Sequence, residues 1–397
     1  MKDHFRRALD ADAERGGRIH VAAHSHHLWP DVSFEAHVRA WNDAMRLADR
    51  KWEYIFGELW PRAQAHVART LGLSDASSVA FSSSTHDFLV RILSCLPARA
   101  EPARVLTTDS EFHSASRQFE RLEEEGMLAV TRVPLEPFAT FPERFATEAA
   151  KDGWDLVFLS HVSYRSGYVV DLSKVLAPFM VGEPNANGTG GPLVVVDGYH
   201  SFCAIETDFA PFEKRAFYIG GGYKYAMSGE GCCFMHAPLG YGPRPLVTGW
   251  FASFGTLAGG AGNKVPYASD ATRFLGATFD PTAIYRFVAV MDWLEREELS
   301  IARLREHART LSAKFVAGLQ GRAPFHKEQL LFLPDDEARG AFLTFRFPTE
   351  AEACAVHEKL LAANIVTDFR GDGLRLCFSI YHDETDVVRL LDRLATL

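Results

Sequence analysis

Short apolar runs recur through the first two thirds of the chain, each closed by polar or glycine residues: Val79 to Phe81, Val105 to Thr107, Leu156 to Ser160, Leu193 to Val196 and Ala216 to Ile219. Helical spacing of apolar residues fills several of the gaps, as in Phe88, Leu89, Ile92, Leu93 and Leu96. A strand that is apolar along its whole length is covered on both faces, and parallel neighbours need a crossover long enough to hold a helix. The pattern therefore predicts an α/β fold with a mainly parallel central sheet and its chemistry beyond the carboxyl ends of the strands. From Ile284 the pattern changes. Ile301, Leu304, Leu311, Phe315 and Leu319 mark a long amphipathic helix, and Ala341 to Phe347 and Leu374 to Ile380 read as strands with a helix between them. We expect residues 1–55 to form an N-terminal arm and helix serving the small domain and active site, 56–283 a large ligand-binding domain, and 284–397 a smaller α+β domain. The Gly, Asn and Pro-rich stretch from Gly182 to Pro192 reads as an exposed insertion.

Composition removes whole classes of function. The net charge of −9 gives no electrostatic reason to bind nucleic acid or an anionic membrane. No stretch approaches the roughly 20 apolar residues of a membrane span, and Met1 to His20 has no apolar core of a secretion signal. The six cysteines, Cys95, Cys203, Cys232, Cys233, Cys354 and Cys377, show neither CxxC nor zinc spacing and read as reduced residues of a cytoplasmic protein.

Two of the strand ends carry reactive groups. The Leu193 run ends in Asp197, with His200 close behind, and the Ala216 run enters Gly220-Gly221-Gly222-Tyr223-Lys224-Tyr225. A carboxylate and a lysine at neighbouring strand ends suit pyridoxal 5'-phosphate, which draws electrons into a pyridinium ring. Asp197 would hold the ring nitrogen protonated, and Lys224 would carry the aldehyde as a Schiff base. His200 would lie over the ring or reach its phenolic oxygen. Taken singly, an Asp at a strand end also suits a turn or cap, and a Lys in a glycine-rich loop also suits plain solvation. Ser82-Ser83-Ser84-Thr85 follows the Val79 strand and opens a helix, a place for a phosphate on free N–H groups and hydroxyls, or for an ordinary N-cap. Tyr223 would add a phenolic hydrogen bond to the same phosphate.

These residues resemble the class V, fold type I aminotransferase group, and within it the kynureninase family. The stretch Leu159-Ser160-His161-Val162-Ser163-Tyr164-Arg165-Ser166-Gly167 is similar to the family's H-V-x-Y-[RK]-[ST]-G segment. Asp197-Gly198-Tyr199-His200 resembles its D-x-x-H, Tyr223-Lys224-Tyr225 its Y-K-Y, Gly249-Trp250-Phe251 its G-W-W, and Arg375 its substrate-carboxylate arginine. The resemblance runs from about Ile19 to the C-terminus. It implies phosphate binding by Ser84 and Thr85, ring stacking by Phe112, a place near the cofactor for Ser166, approach of Trp250 to the phosphate, and Thr278 reaching the phosphate of a neighbouring subunit in a homodimer. Two departures bear on substrate rather than cofactor. His113-Ser114-Ala115 stands where the family has Pro-Thr-Asp, and Ala252-Ser253 where it has Gly-His.

The implied reaction on an L-amino acid is hydrolysis of the Cβ–Cγ bond of kynurenine or a related aryl amino acid, with Lys224 moving the α-proton and Tyr223 as a proton donor. Arg375 would clamp the substrate carboxylate, although an arginine in a strand also suits a structural ion pair. Trp29, Trp250 and Phe251 would line an aryl pocket. A class V aminotransferase would use the same Asp and Lys. A cysteine desulfurase needs a mobile cysteine, which neither the helical Cys354 nor the strand-like Cys377 suits. His24-Ser25-His26-His27 with His161, Asp197 and His200 offers a further reading as a metal-dependent amidohydrolase, but it leaves Lys224 and the serine run unexplained. A non-catalytic pyridoxal phosphate-binding regulator finds no basic patch to support it.

Overall fold

The computed structural model describes residues 1–397 except 15, 99, 152, 182–190, 257–263 and 321–323, so the expected insertion falls almost entirely outside the described residues. The strands are β1 (Ile19–His20), β2 (Val79–Ser82), β3 (Ala103–Thr108), β4 (Leu128–Val133), β5 (Leu156–Ser160), β6 (Leu193–Asp197), β7 (Ala216–Gly221), β8 (Cys233–His236), β9 (Leu343–Arg346), β10 (Ile365–Val366), β11 (Asp368–Arg370) and β12 (Gly373–Leu376).

Seven of them form one sheet in the order β2-β8-β7-β6-β5-β3-β4. Neighbours from β7 to β4 pair in parallel, whereas β8 pairs antiparallel with both β7 and β2. β5, β6 and β7 are buried along nearly their whole length, as continuous apolar strands between two helical layers should be. The fold is a doubly covered, mostly parallel sheet with a smaller C-terminal unit. In that unit β11, β12 and β9 make an antiparallel sheet, and β1 pairs in parallel with β10. Its core takes Ile19 and Val21 from the start of the chain together with Leu311, Phe315, Leu343, Phe345, Leu374 and Leu390. The β1 segment is therefore built into the smaller unit, whereas Phe5, Ala23, Ala36, Ala40 and Ile55 of the same arm join the core of the large sheet. No described helix is long and apolar enough to cross a membrane.

Candidate active site

The strand register places the chemistry. Ser160 at the end of β5, Asp197 at the end of β6 and Ile219 on β7 are side-by-side partners, so Asp197 emerges at the carboxyl edge of the sheet. Lys224 follows β7 on a turn whose glycines are needed for close approach. A Cβ on Gly221 would collide with the Tyr199 hydroxyl, and one on Gly222 with that of Ser228. The turn closes by Gly222 N–H to Cys232 O at 2.9 Å and Ser228 N–H to Gly222 O at 2.9 Å.

Asp197, His200 and Lys224 line a cavity of about 220 Å³ together with Ser84, Thr85, Phe112 and Tyr223. Lys224 is 5% exposed. Burial first, then the charge of Arg375, brings its ammonium down to about 7, so near neutral pH much of it is free amine. Its Nζ is hydrogen bonded to Nε2 of His200 and lies 5.2 Å from the ring centre of Tyr199 and 5.8 Å from that of Phe112. Desolvation raises the Asp197 carboxyl, opposed by the Tyr199 N–H that donates to its Oδ1 at 2.9 Å and by the charge of Lys224. Asp197 forms no ion pair within 4.0 Å among the described residues, which leaves a buried carboxylate open to a cationic partner. Burial also raises the Tyr223 phenol to about 12, so it keeps its proton.

At the other end of the cavity, the helix Thr85–Leu93 begins. Ser84 is its N-cap and accepts from Asp87 N–H at 3.2 Å, while Ser82 and Ser83 each donate to Asp87 Oδ2 at 2.8 Å. The hydroxyls thus order the turn as a cap, and the positive end of the helix faces the cavity, where an anion would be favoured.

Other expected site residues are placed elsewhere. Ser166 is buried beside a second cavity of about 340 Å³, lined also by Arg165, Arg346 and Arg370. Its Oγ accepts from Tyr168 N–H. Trp250 is exposed and stacked on Phe251 at 4.2 Å, Thr278 is exposed, and Trp29 lies under the Arg286 guanidinium at 5.2 Å. None of these, nor Phe251, lines the Lys224 cavity. Arg375 is buried and donates to Asp368 Oδ2 at 2.6 Å and to the carbonyl of Tyr164. The metal reading fails on geometry. Among the described residues the only group at ligand spacing is His66, Asp292 and Glu295, and Arg62 and Arg69 already pair with its carboxylates. His24, His161, Asp197 and His200 do not converge in this way.

Sequence reasoning missed Tyr199, His86 and Glu111. Glu111 accepts from Thr108 Oγ1 and Ser160 Oγ, both at 2.6 Å, and burial, the larger influence, together with nearby Asp197 raises it to about 7. Its position directly before Phe112 was the available signal.

Residues 304–394 match the kynureninase C-terminal domain family. The chain is 23% identical over 373 residues to the kynureninase of Pseudomonas fluorescens, covering 89% of this chain and 80% of that protein. These likenesses are to kynureninase-like enzymes of the class V, fold type I group. The chain is also 25% identical over 260 residues to the uncharacterized aminotransferase YcbU of Bacillus subtilis, covering 64% of this chain and 63% of that protein. Solved structures with the same fold include the cystine C–S lyase C-DES in complex with its product cysteine persulfide, at a TM-score of 0.78 and 18% identity over 98% of this chain and 99% of that one. Another is the apo cysteine desulfurase of Thermococcus onnurineus, at 0.77 and 15% over 99% and 97%.

The donor set of the cavity fits pyridoxal phosphate: a buried carboxylate with no ion pair among the described residues, a buried lysine whose ammonium is weakened by burial, an aromatic ring and a helix N-terminus.

Proposed function

We propose that this chain binds pyridoxal phosphate on Lys224 and acts on an L-amino acid, by hydrolysis of the Cβ–Cγ bond of kynurenine or a related aryl amino acid. The observation that carries the cofactor is the buried Lys224 amine in one cavity with Asp197. Bound there, pyridoxal phosphate supplies an electron sink for the substrate's α-carbon. Asp197 would hold the proton on its ring nitrogen, Phe112 would lie against the ring, and the Thr85 end of the helix would receive the phosphate. The free Lys224 amine would take the substrate's α-proton, and His200, hydrogen bonded to its Nζ, would orient it. Tyr223 keeps its proton and is the donor to the product side. Arg375, held by Asp368, presents the charge that receives the substrate carboxylate.

The thiols near the cavity do not support sulfur transfer by a cysteine nucleophile. Cys233, which lines the cavity, is raised to about 11 by burial, and Cys377 to about 12 for the same reason, so both stay protonated. Free cysteines throughout the described chain fit a reducing cytoplasm. L-kynurenine and 3-hydroxykynurenine incubated with the loaded protein are expected to yield alanine. Alanine formed only when a keto acid is supplied, with the aryl chain uncut, would show a transaminase instead.

The Lys224 pKa sets the pH dependence of loading. Only the free amine attacks the aldehyde, so the rate of pyridoxal phosphate uptake by the apo-protein is expected to rise with a midpoint near 7 and level off above it. A rate that kept climbing to the ordinary lysine value of 10.5 would place the amine in water.

A homodimer belongs to the same reading. The helix Asp31–Leu47 buries Ala36 and Ala40 on one side and exposes Phe34, Val38, Trp41 and Met45 on the other, with Trp41 68% exposed. Trp250 and Phe254 are exposed as well. So much apolar surface is unusual for a monomer. Light scattering is expected to give twice the chain mass, and Trp41→Glu to halve it. A monomeric parent would remove the shared-site arrangement.

A further inference from the structure

Buried polar atoms without hydrogen-bond partners gather beside Lys224. Both ring nitrogens of His24, Nδ1 of His200, the hydroxyl of Tyr225 and Nε of Arg375 have none. The four residues are buried, His24 completely so at 0% exposure. Three of them surround one ring: the centre of Phe342 is 4.7 Å from the His24 ring, 5.7 Å from the His200 ring and 5.5 Å from the Arg375 guanidinium carbon. Native chains keep few such orphans, because each is expensive to desolvate. A cluster of them next to a reactive amine calls for a polar partner from outside the chain.

The backbone explains how His24 gets there. Ala22 bridges in parallel to Cys377, and Cys377 N–H donates to Val21 O at 2.8 Å, so the arm after β1 is held against the segment that directly follows Arg375. His24 and Arg375 also converge on one carboxylate oxygen. Asp368 Oδ2 lies 2.6 Å from Arg375 Nη2 and 4.0 Å from His24 Nε2. Burial, followed by the charges of Arg375 and Lys224, keeps the imidazole neutral, so one ring nitrogen carries a proton to donate and the other can accept.

We propose that His24 is a substrate-positioning residue whose ring N–H, together with Arg375, holds the carboxylate of the amino-acid substrate. This rests on the reading of the cavity as an amino-acid site, and it assigns His24, the first histidine after β1, to the substrate rather than to a metal. Arg375 supplies the charge, and His24 supplies a neutral directional donor that fixes the carboxylate plane.

The test compares two probes that differ by the carboxylate, L-alanine and ethylamine, titrated into the pyridoxal phosphate-loaded protein and followed by the change in its visible band. In His24→Leu the affinity for L-alanine is expected to fall about tenfold or more, with that for ethylamine unchanged. The same pair of titrations is read on His24→Phe, which keeps a ring of similar shape but has no N–H, and which replaces the leucine variant if that one fails to fold. Retained L-alanine affinity, or an equal loss for both probes, would overturn the assignment, since a packing role affects both alike. A parent protein that takes up no pyridoxal phosphate would instead contradict the proposed function, and its spectrum shows this before either probe is added.

Discussion

Lys224→Ala is expected to lower turnover by at least about a thousandfold, the range associated with losing a covalent anchor and a positioned base together. Stability should move the other way. The wild-type amine is 5% exposed and is brought from 10.5 down to about 7, chiefly by desolvation. Its folded pKa lies below the unfolded one, so the unfolded chain binds more protons between these values. The amine therefore opposes folding most below about 7, and that opposition fades as pH rises towards 10.5. Alanine removes this opposition, so apo Lys224→Ala is expected to unfold at the same or a higher denaturant concentration at pH 7. An activity loss accompanied by a large drop in stability would make Lys224 a packing residue and undo the assignment.

Asp197→Asn carries the second large effect. Asparagine preserves the shape of the side chain and can still accept from the Tyr199 N–H, the contact that orients the carboxylate at 2.9 Å. It offers no negative charge to hold a proton on a ring nitrogen. The variant is therefore expected to bind pyridoxal phosphate and keep its colour, while kcat falls about a hundredfold or more, as for other losses of electrostatic stabilisation at a reacting centre. The split is what identifies the role. Steady-state kinetics together with the visible spectrum measure it, and a variant that is colourless, or one as active as the parent, would contradict it.

The central strands were legible because they are apolar from end to end, and β5, β6 and β7 lie where the runs at Leu156, Leu193 and Ala216 placed them. Asp197 and Lys224 were legible for the same reason, since a polar residue that ends such a strand has few places to go. β4 was not. It is an edge strand carrying Thr131 and Arg132, half exposed, so its pattern is neither continuous nor strictly alternating. β10 and β11 are too short to leave a periodic trace. The partners of Arg375 were out of reach as well. Asp368 meets it across an antiparallel pair, and the Tyr164 carbonyl comes from a loop of the large unit, contacts set by packing rather than by local spacing. The histidine run after β1 suggested metal ligands because spacing alone cannot show which side chains a fold brings together. Folding instead stacks His26 on Tyr223 at 5.6 Å and bonds His27 to Ser379 Oγ at 2.5 Å, with His24 beside Arg375 and Lys224.

The central claim is that Lys224 carries the cofactor, and peptide mapping after borohydride reduction of the pyridoxal phosphate-loaded protein tests it most directly. The account predicts one phosphopyridoxyl group per chain, on the peptide that contains Lys224. A label on another lysine, or none at all, would contradict it.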